Sequence, residues 1–232
     1  YGSDVRPQNV QNYLAYTLKR LGTDYVDLYQ PARINPHIPV EDTIGAVADL
    51  VKAGYVRSVG ITEIDAETLR RAHAVHPISL VEVRYSLLDR DIEEGILPTA
   101  RELGIDVVTF ANLFHGVIGG SNPAGKVAGL SQRMPPQAAE KLKQAVSRLE
   151  MADEKNVSVS QLAIAWVLAQ GNDILALVGS RTVDQLHDTV KAIDIHLSPE
   201  DLQRIEQMIP KEYASNSAML PINLDENGLF KF

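Results

Sequence analysis

The sequence predicts an α/β fold built on a parallel sheet. Short runs rich in β-branched residues alternate with stretches whose apolar residues recur every three to four positions. That order requires right-handed crossovers between parallel strands. Several helical stretches stop at a glycine, as at Gly22, Gly54 and Gly104, where a left-handed turn can end a helix. No repeat of solenoid length competes with this reading. About five strand–helix units are present, where a closed barrel of this class takes eight.

The first helix follows a loop at the start and has Pro7 in its first turn, with Val10, Leu14, Leu18 and Leu21 on one stripe. Val26 to Gln30 is the first strand, and a proline-rich loop, Asn35 to Pro39, follows it. A helix from Val40 to Ala53 turns Ile44, Val47 and Val51 inward. Val56 to Thr62 is the second strand, Ala66 to Ala74 a helix, and Leu80 to Ser86 the third strand. Ile92 to Leu103 reads as one helix and Asp106 to Ala111 as the fourth strand.

The rhythm then breaks. His115 to Pro136 holds five glycines and three prolines and shows no period, so it reads as a long loop near function. Helices follow at Gln137 to Glu154 and Ser158 to Ala169, the second with Leu162, Ala165 and Trp166 buried. Ile174 to Val178 is the last strand. Ser198-Pro199-Glu200-Asp201 caps a final helix, Leu202 to Met208, and the tail from Ala214 to Phe232 is polar and irregular.

Composition narrows the function. With 232 residues, 45% of them hydrophobic, the chain can bury a sizeable core. It has no cysteine, which excludes a disulfide frame and a thiolate nucleophile and fits a reducing, cytoplasmic setting. A net charge of −8 argues against nucleic acid or an anionic membrane as the main partner. No apolar run has the length of a membrane-spanning helix. His73 and His76 could share a helix face, but no nearby carboxylate completes a metal set, so no metal is expected. Gly120 to Lys126 mimics a P-loop, yet Val127 stands where a magnesium ligand is needed.

The stretch from Ile174 to Val190 carries the most chemistry. A buried strand meets a tight turn at Gly179-Ser180, and a helix opens beyond Arg181. Backbone N–H groups, the helix dipole and the guanidinium together form an anion seat. On spacing alone the same residues also describe an ordinary turn with a surface arginine. Other polar groups fall at the C-terminal strand ends, where parallel folds place their sites: Gln30, Thr62 with Glu63, Glu82 with Arg84, Phe110 and Ser180. His115 fits either a pocket mouth or a plain surface position.

Seven stretches make the chain resemble the aldo-keto reductases: Leu21 to Tyr29, Val56 to Glu63, Tyr85-Ser86-Leu87, Leu97 to Ile105, Gln161 to Gln170, Gly179-Ser180-Arg181 and Leu197 to Leu202. The resemblance implies a (β/α)8 TIM barrel, NADPH as cofactor, and hydride transfer to an aldehyde or ketone with a tyrosine as proton donor. Position by position, it implies that Thr62, Glu63 and Glu82 hold the nicotinamide carboxamide and that Phe110 stacks on the ring. Gly179, Ser180, Arg181 and Gln185 would clamp the adenosine 2′-phosphate, with Asp188 and Thr189 facing the adenine.

Three departures qualify it. Ala32 occupies the family's usual histidine position. Glu82 replaces an amide by a carboxylate, which only accepts hydrogen bonds when ionised. The family's catalytic Asp, Tyr and Lys are expected upstream of Tyr1, so the chain reads as one N-terminally incomplete barrel domain over residues 1–232. Its expected partner is a small carbonyl substrate. A cofactor-binding sensor or scaffold of weak chemistry is the alternative. Oligomeric state is not legible.

Overall fold

A computed structural model gives the fold. It describes residues 4–35, 37–119, 123–132 and 151–211, with positions 136, 140, 143 and 144 between them. Strands β1 (Val26–Tyr29), β2 (Val56–Thr62), β3 (Ile78–Arg84), β4 (Asp106–Phe110) and β5 (Ile174–Ala176) form one sheet in the order β1-β2-β3-β4-β5. β1 pairs parallel with β2 through Val26 opposite Val56, and β2 parallel with β3 through Gly60 opposite Leu80. The chain divides into two compact units.

The first unit takes residues 4–83 and 93–107. It holds α1 (Pro7–Leu21), α2 (Val40–Lys52), α3 (Ala66–Val75) and α4 (Ile96–Leu103). Val10 and Leu14 of α1 are buried, as the stripe requires, but Leu21 stands 64% exposed beside the left-handed Gly22. Val40, Ile44 and Val47 of α2, Leu69 and Ala72 of α3 and Val59 and Ile61 of β2 fill the core. β2 is buried along nearly its whole length, because an interior parallel strand is covered on both faces. Asp65 caps α3 by accepting from the Thr68 N–H at 2.8 Å, a contact worth about 1 kcal/mol. Where one helix was expected from Ile92, Gly95 divides a 3-10 turn (Asp91–Glu94) from α4.

The second unit takes residues 84–92 and 108–211. Its centre is α6 to α7, that is Met151–Glu154 and Val159–Leu168, where every side chain from Ser160 to Val167 is buried. A helix apolar on all sides belongs inside a core. Trp166 packs on Tyr85 with ring centres 5.3 Å apart, and the Arg90 guanidinium lies 5.2 Å from the indole centre. α8 (Val183–Val190) and α9 (Pro199–Met208) complete the unit. The glycine-rich stretch expected as loop contains a helix, α5 (Pro123–Ser131). Its alanines and glycines carry no stripe to betray it. β5 stops at Ala176, two residues short of expectation. Most of the expected Gln137 to Glu154 helix, the start of the P-loop mimic and the tail lie outside the described residues.

Candidate functional site

In the second unit, the segment between β5 and α8 opens a cavity of about 810 Å³. Gly179, Ser180, Arg181, Gln185, Asp188 and Thr189 all line it, so the turn and one face of α8 come together there. The Leu177 N–H donates to the Thr109 carbonyl at 2.7 Å and carries the chain one residue past the ladder. Thr182 then caps α8: its hydroxyl accepts from the Gln185 N–H at 3.2 Å. Gln185 reaches back, its Oε1 accepting from the Arg181 N–H at 3.0 Å. One amide expected to face a ligand is therefore occupied, and the exposed guanidinium is what Arg181 presents.

Charge in the cavity is mixed. Arg181 is offset by Asp184 and Asp188. The Asp188 carboxylate is held by the Ser158 hydroxyl at 2.9 Å and by Gln161 Nε2 at 2.8 Å, and Gln161 Nε2 also donates to the Asp188 carbonyl at 2.9 Å. Ser180 Oγ is buried with no hydrogen-bond partner.

The opposite wall comes from the segment after β4, which sequence reasoning did not place there. Ala111, Asn112, Leu113, His115 and Gly116 line it, followed by Gly119 and Ser160. Ala111, Phe114 and His115 have φ of 55°, 43° and 56°. Non-glycine residues there cost about 1 kcal/mol or more each, and such strain collects at functional sites. Asn112 is buried, and its Nδ2 donates to the Tyr85 carbonyl at 3.0 Å and to Thr109 Oγ1 at 2.9 Å. Thr109 Oγ1 donates on to the Leu175 carbonyl at 3.1 Å, so one amide ties together the ends of three strands. Ser160 Oγ donates to the Gly119 carbonyl at 2.9 Å. The sequence signals for this wall were His115 following a strand end and the glycine-rich stretch beginning there, read as near function, which supplies Gly116 and Gly119.

Phe110 ends β4 with its carbonyl accepting from the Tyr85 N–H at 3.2 Å, and it is not among the residues lining the cavity.

In the first unit the expected carboxamide holders form a polar knot. Thr62 Oγ1 and the Glu63 N–H both donate to the Glu82 carbonyl, at 3.1 and 3.0 Å. Gln30 Nε2 donates to Glu82 Oε2. Arg33, which sequence reasoning did not single out, donates through Nη1 to Thr62 Oγ1 at 3.4 Å and to the Ala32 carbonyl at 3.0 Å. Gly60 makes the knot possible: a Cβ there would lie 2.9 Å from Gln30 Oε1. Glu63 sits at φ 50°. Tyr29 is not tuned as an acid, because burial pushes its phenol above the ordinary value.

The profile of the aldo/keto reductase family matches residues 1–210. The chain belongs to the aldo/keto reductase family. It is 36% identical over 210 residues to "Probable aldo-keto reductase 1" of Glycine max, an alignment covering 88% of this chain and 61% of that protein. It is 35% identical over 212 residues to "Aldo-keto reductase str7" of Strobilurus tenacellus, covering 87% and 63%. The chain thus spans just over three fifths of the length of these relatives. Among solved structures, the thermostable aldo-keto reductase Tm1743, determined with the inhibitor epalrestat, superposes with a TM-score of 0.69 at 28% identity, over 88% of this chain and 67% of that one. The glycerol dehydrogenase AKR11B4 of Gluconobacter oxydans gives a TM-score of 0.79 at 22% identity, over 96% and 68%, and speaks for the fold alone. The α/β fold with a five-stranded parallel sheet is therefore part of a barrel of the aldo-keto reductase type.

Proposed function

We propose that this chain carries the cofactor-binding part of an NADP(H)-dependent oxidoreductase that reduces aldehydes or ketones to alcohols. One observation carries the reading: four residues that the resemblance assigns to the 2′-phosphate and two that it assigns to the adenine line a single cavity. The residues fit such a group. Ser180 Oγ is a buried hydroxyl without a protein partner, and Arg181 brings an exposed guanidinium suited to a phosphate. Gly179 leaves room for close approach of the backbone.

The first unit's knot has spent donors on itself, Gln30 Nε2 on Glu82 and Arg33 Nη1 on Thr62, so the reading rests on the second unit's cavity. When bound, the nicotinamide supplies the hydride. The chain's own residues bind and orient, and holding reactants in near-attack geometry is itself a large share of catalysis.

A second reading has an observation of its own. With Ala32 at the usual histidine position and burial raising the Tyr29 phenol, neither position offers a tuned proton donor. That favours a cofactor-binding relative of weak chemistry. Titration of NADPH by calorimetry, followed by a carbonyl panel read at 340 nm, separates the two. Binding with turnover supports the reductase, binding without turnover supports the sensor, and no binding removes both.

A further inference from the structure

α8 is eight residues long and buries none of its side chains. Val183, Leu186 and Val190 are each about half or more exposed. So short a helix does not hold its shape alone, and it has little packing to lean on. Three hydrogen bonds from the start of α7 converge on its last turn, and all end on Asp188. Their donors are themselves fixed. Ser158 and Gln161 form a capping box, Ser158 Oγ accepting from the Gln161 N–H at 3.1 Å and Gln161 Oε1 accepting from the Ser158 N–H at 3.0 Å. Gln161 is buried in the core and does not line the cavity, whereas the other end of α8 carries Gln185 and is joined to Arg181 through the cap Thr182.

We propose that Gln161, with Ser158, is a positioning residue: through Asp188 it latches α8 to α7 and so sets how tightly the cavity grips its ligand. The inference rests on the nucleotide reading for the identity of that ligand. It assigns Asp188 a role distinct from the resemblance, in which this position faces the adenine. Both carboxylate oxygens are engaged by α7, so Asp188 acts as the catch of the latch.

Three variants of the full chain test this, with adenosine 2′,5′-bisphosphate as probe and amide hydrogen exchange as the second readout. Gln161→Glu keeps the acceptor that completes the capping box but sets a carboxylate against Asp188. It should weaken the probe about tenfold, the scale of one charge-assisted hydrogen bond, and speed exchange across α8. Adding Asp188→Asn returns a donor to the pair and should recover most of both losses. Asp188→Ala leaves α7 and its cap untouched, guards against a misfolded Gln161 variant, and should speed α8 exchange alike.

The loss in Gln161→Glu should be equal for probes bearing adenine or hypoxanthine, since the latch does not read the base. Unchanged exchange in α8, no recovery in the double variant, or a loss confined to adenine overturns the latch. A wild-type chain that ignores the probe while α8 exchange still responds sinks the nucleotide reading and leaves the latch standing.

Discussion

The two units hold their polar strand-end residues in opposite ways. In the first, Gln30, Thr62, Glu63 and Glu82 satisfy one another across strand ends, and Gly60 clears the space that lets them. In the second, the cavity is framed by backbone bent into the left-handed region at Ala111, Phe114 and His115, and Ser180 Oγ is left without a protein partner. One unit is preorganised by mutual hydrogen bonding. The other keeps unused capacity for a ligand and concentrates three left-handed residues in its wall, against Glu63 alone in the first unit's knot. A polar residue at a strand end is thus no site by itself; what matters is whether its neighbours have already claimed its hydrogen bonds.

The largest test of this contrast is Gly119→Ala. The new Cβ would come within 2.6 Å of the Ser160 backbone nitrogen, at a φ of +65°. Neither partner can step aside, so the variant should lose about 3 kcal/mol in urea unfolding and its cavity ligand with it. Arg181→Ala should come next: NADPH affinity falls about thirtyfold by calorimetry while NADH affinity holds, because only one carries the 2′-phosphate. Equal losses would dissolve the distinction between the units.

Gly60→Ala presses on the Gln30 side chain rather than on backbone. It should cost about 1.5 kcal/mol and leave the second unit's cavity binding unchanged.

The smallest effect is on acid stability. Arg6 beside Asp4 in the first unit holds that carboxyl down at about 2, first through its side-chain hydrogen bond. Lys155, 2.7 Å from Asp201 in the second, also lowers its partner, again mainly by hydrogen bonding. Each carboxylate binds its proton less readily folded than unfolded. The stabilisation is therefore full above the ordinary carboxylate range and is lost as pH falls through the folded values. Asp201→Asn and Asp4→Asn should each cost under about 1 kcal/mol at neutral pH and flatten the acid limb, Asp4→Asn between about pH 4 and pH 2 and Asp201→Asn below the ordinary carboxylate range. A variant whose acid limb matches the wild type would remove that pair from the account.

Much of this was legible in the chain. Strands such as β2 and β3 announce themselves through closely spaced β-branched residues, and Val59, Ile61, Val81 and Val83 are the ones that end up buried. The turn at Gly179 to Arg181 was readable because glycine, a small hydroxyl and a cation stand together before a helix. Illegible features have physical reasons too. Arg33 meets Thr62 across 29 positions and Gln30 meets Glu82 across 52, and no local pattern encodes such a meeting. The bends at Ala111, Phe114 and His115 occur at residues that ordinarily avoid them, so composition pointed elsewhere. α5 was hidden by the glycines and alanines that make its stripe featureless.

Trp166 is the chain's single indole, and it lies in the core of the second unit between the Tyr85 ring and the Arg90 cation. Emission excited selectively at the indole, beyond the absorption of the tyrosines, is therefore a one-sided optical signal. It reports when the half holding α7 comes apart and does not follow the other half. A melt followed by that glow and by circular dichroism together would show at once whether the two halves let go in step.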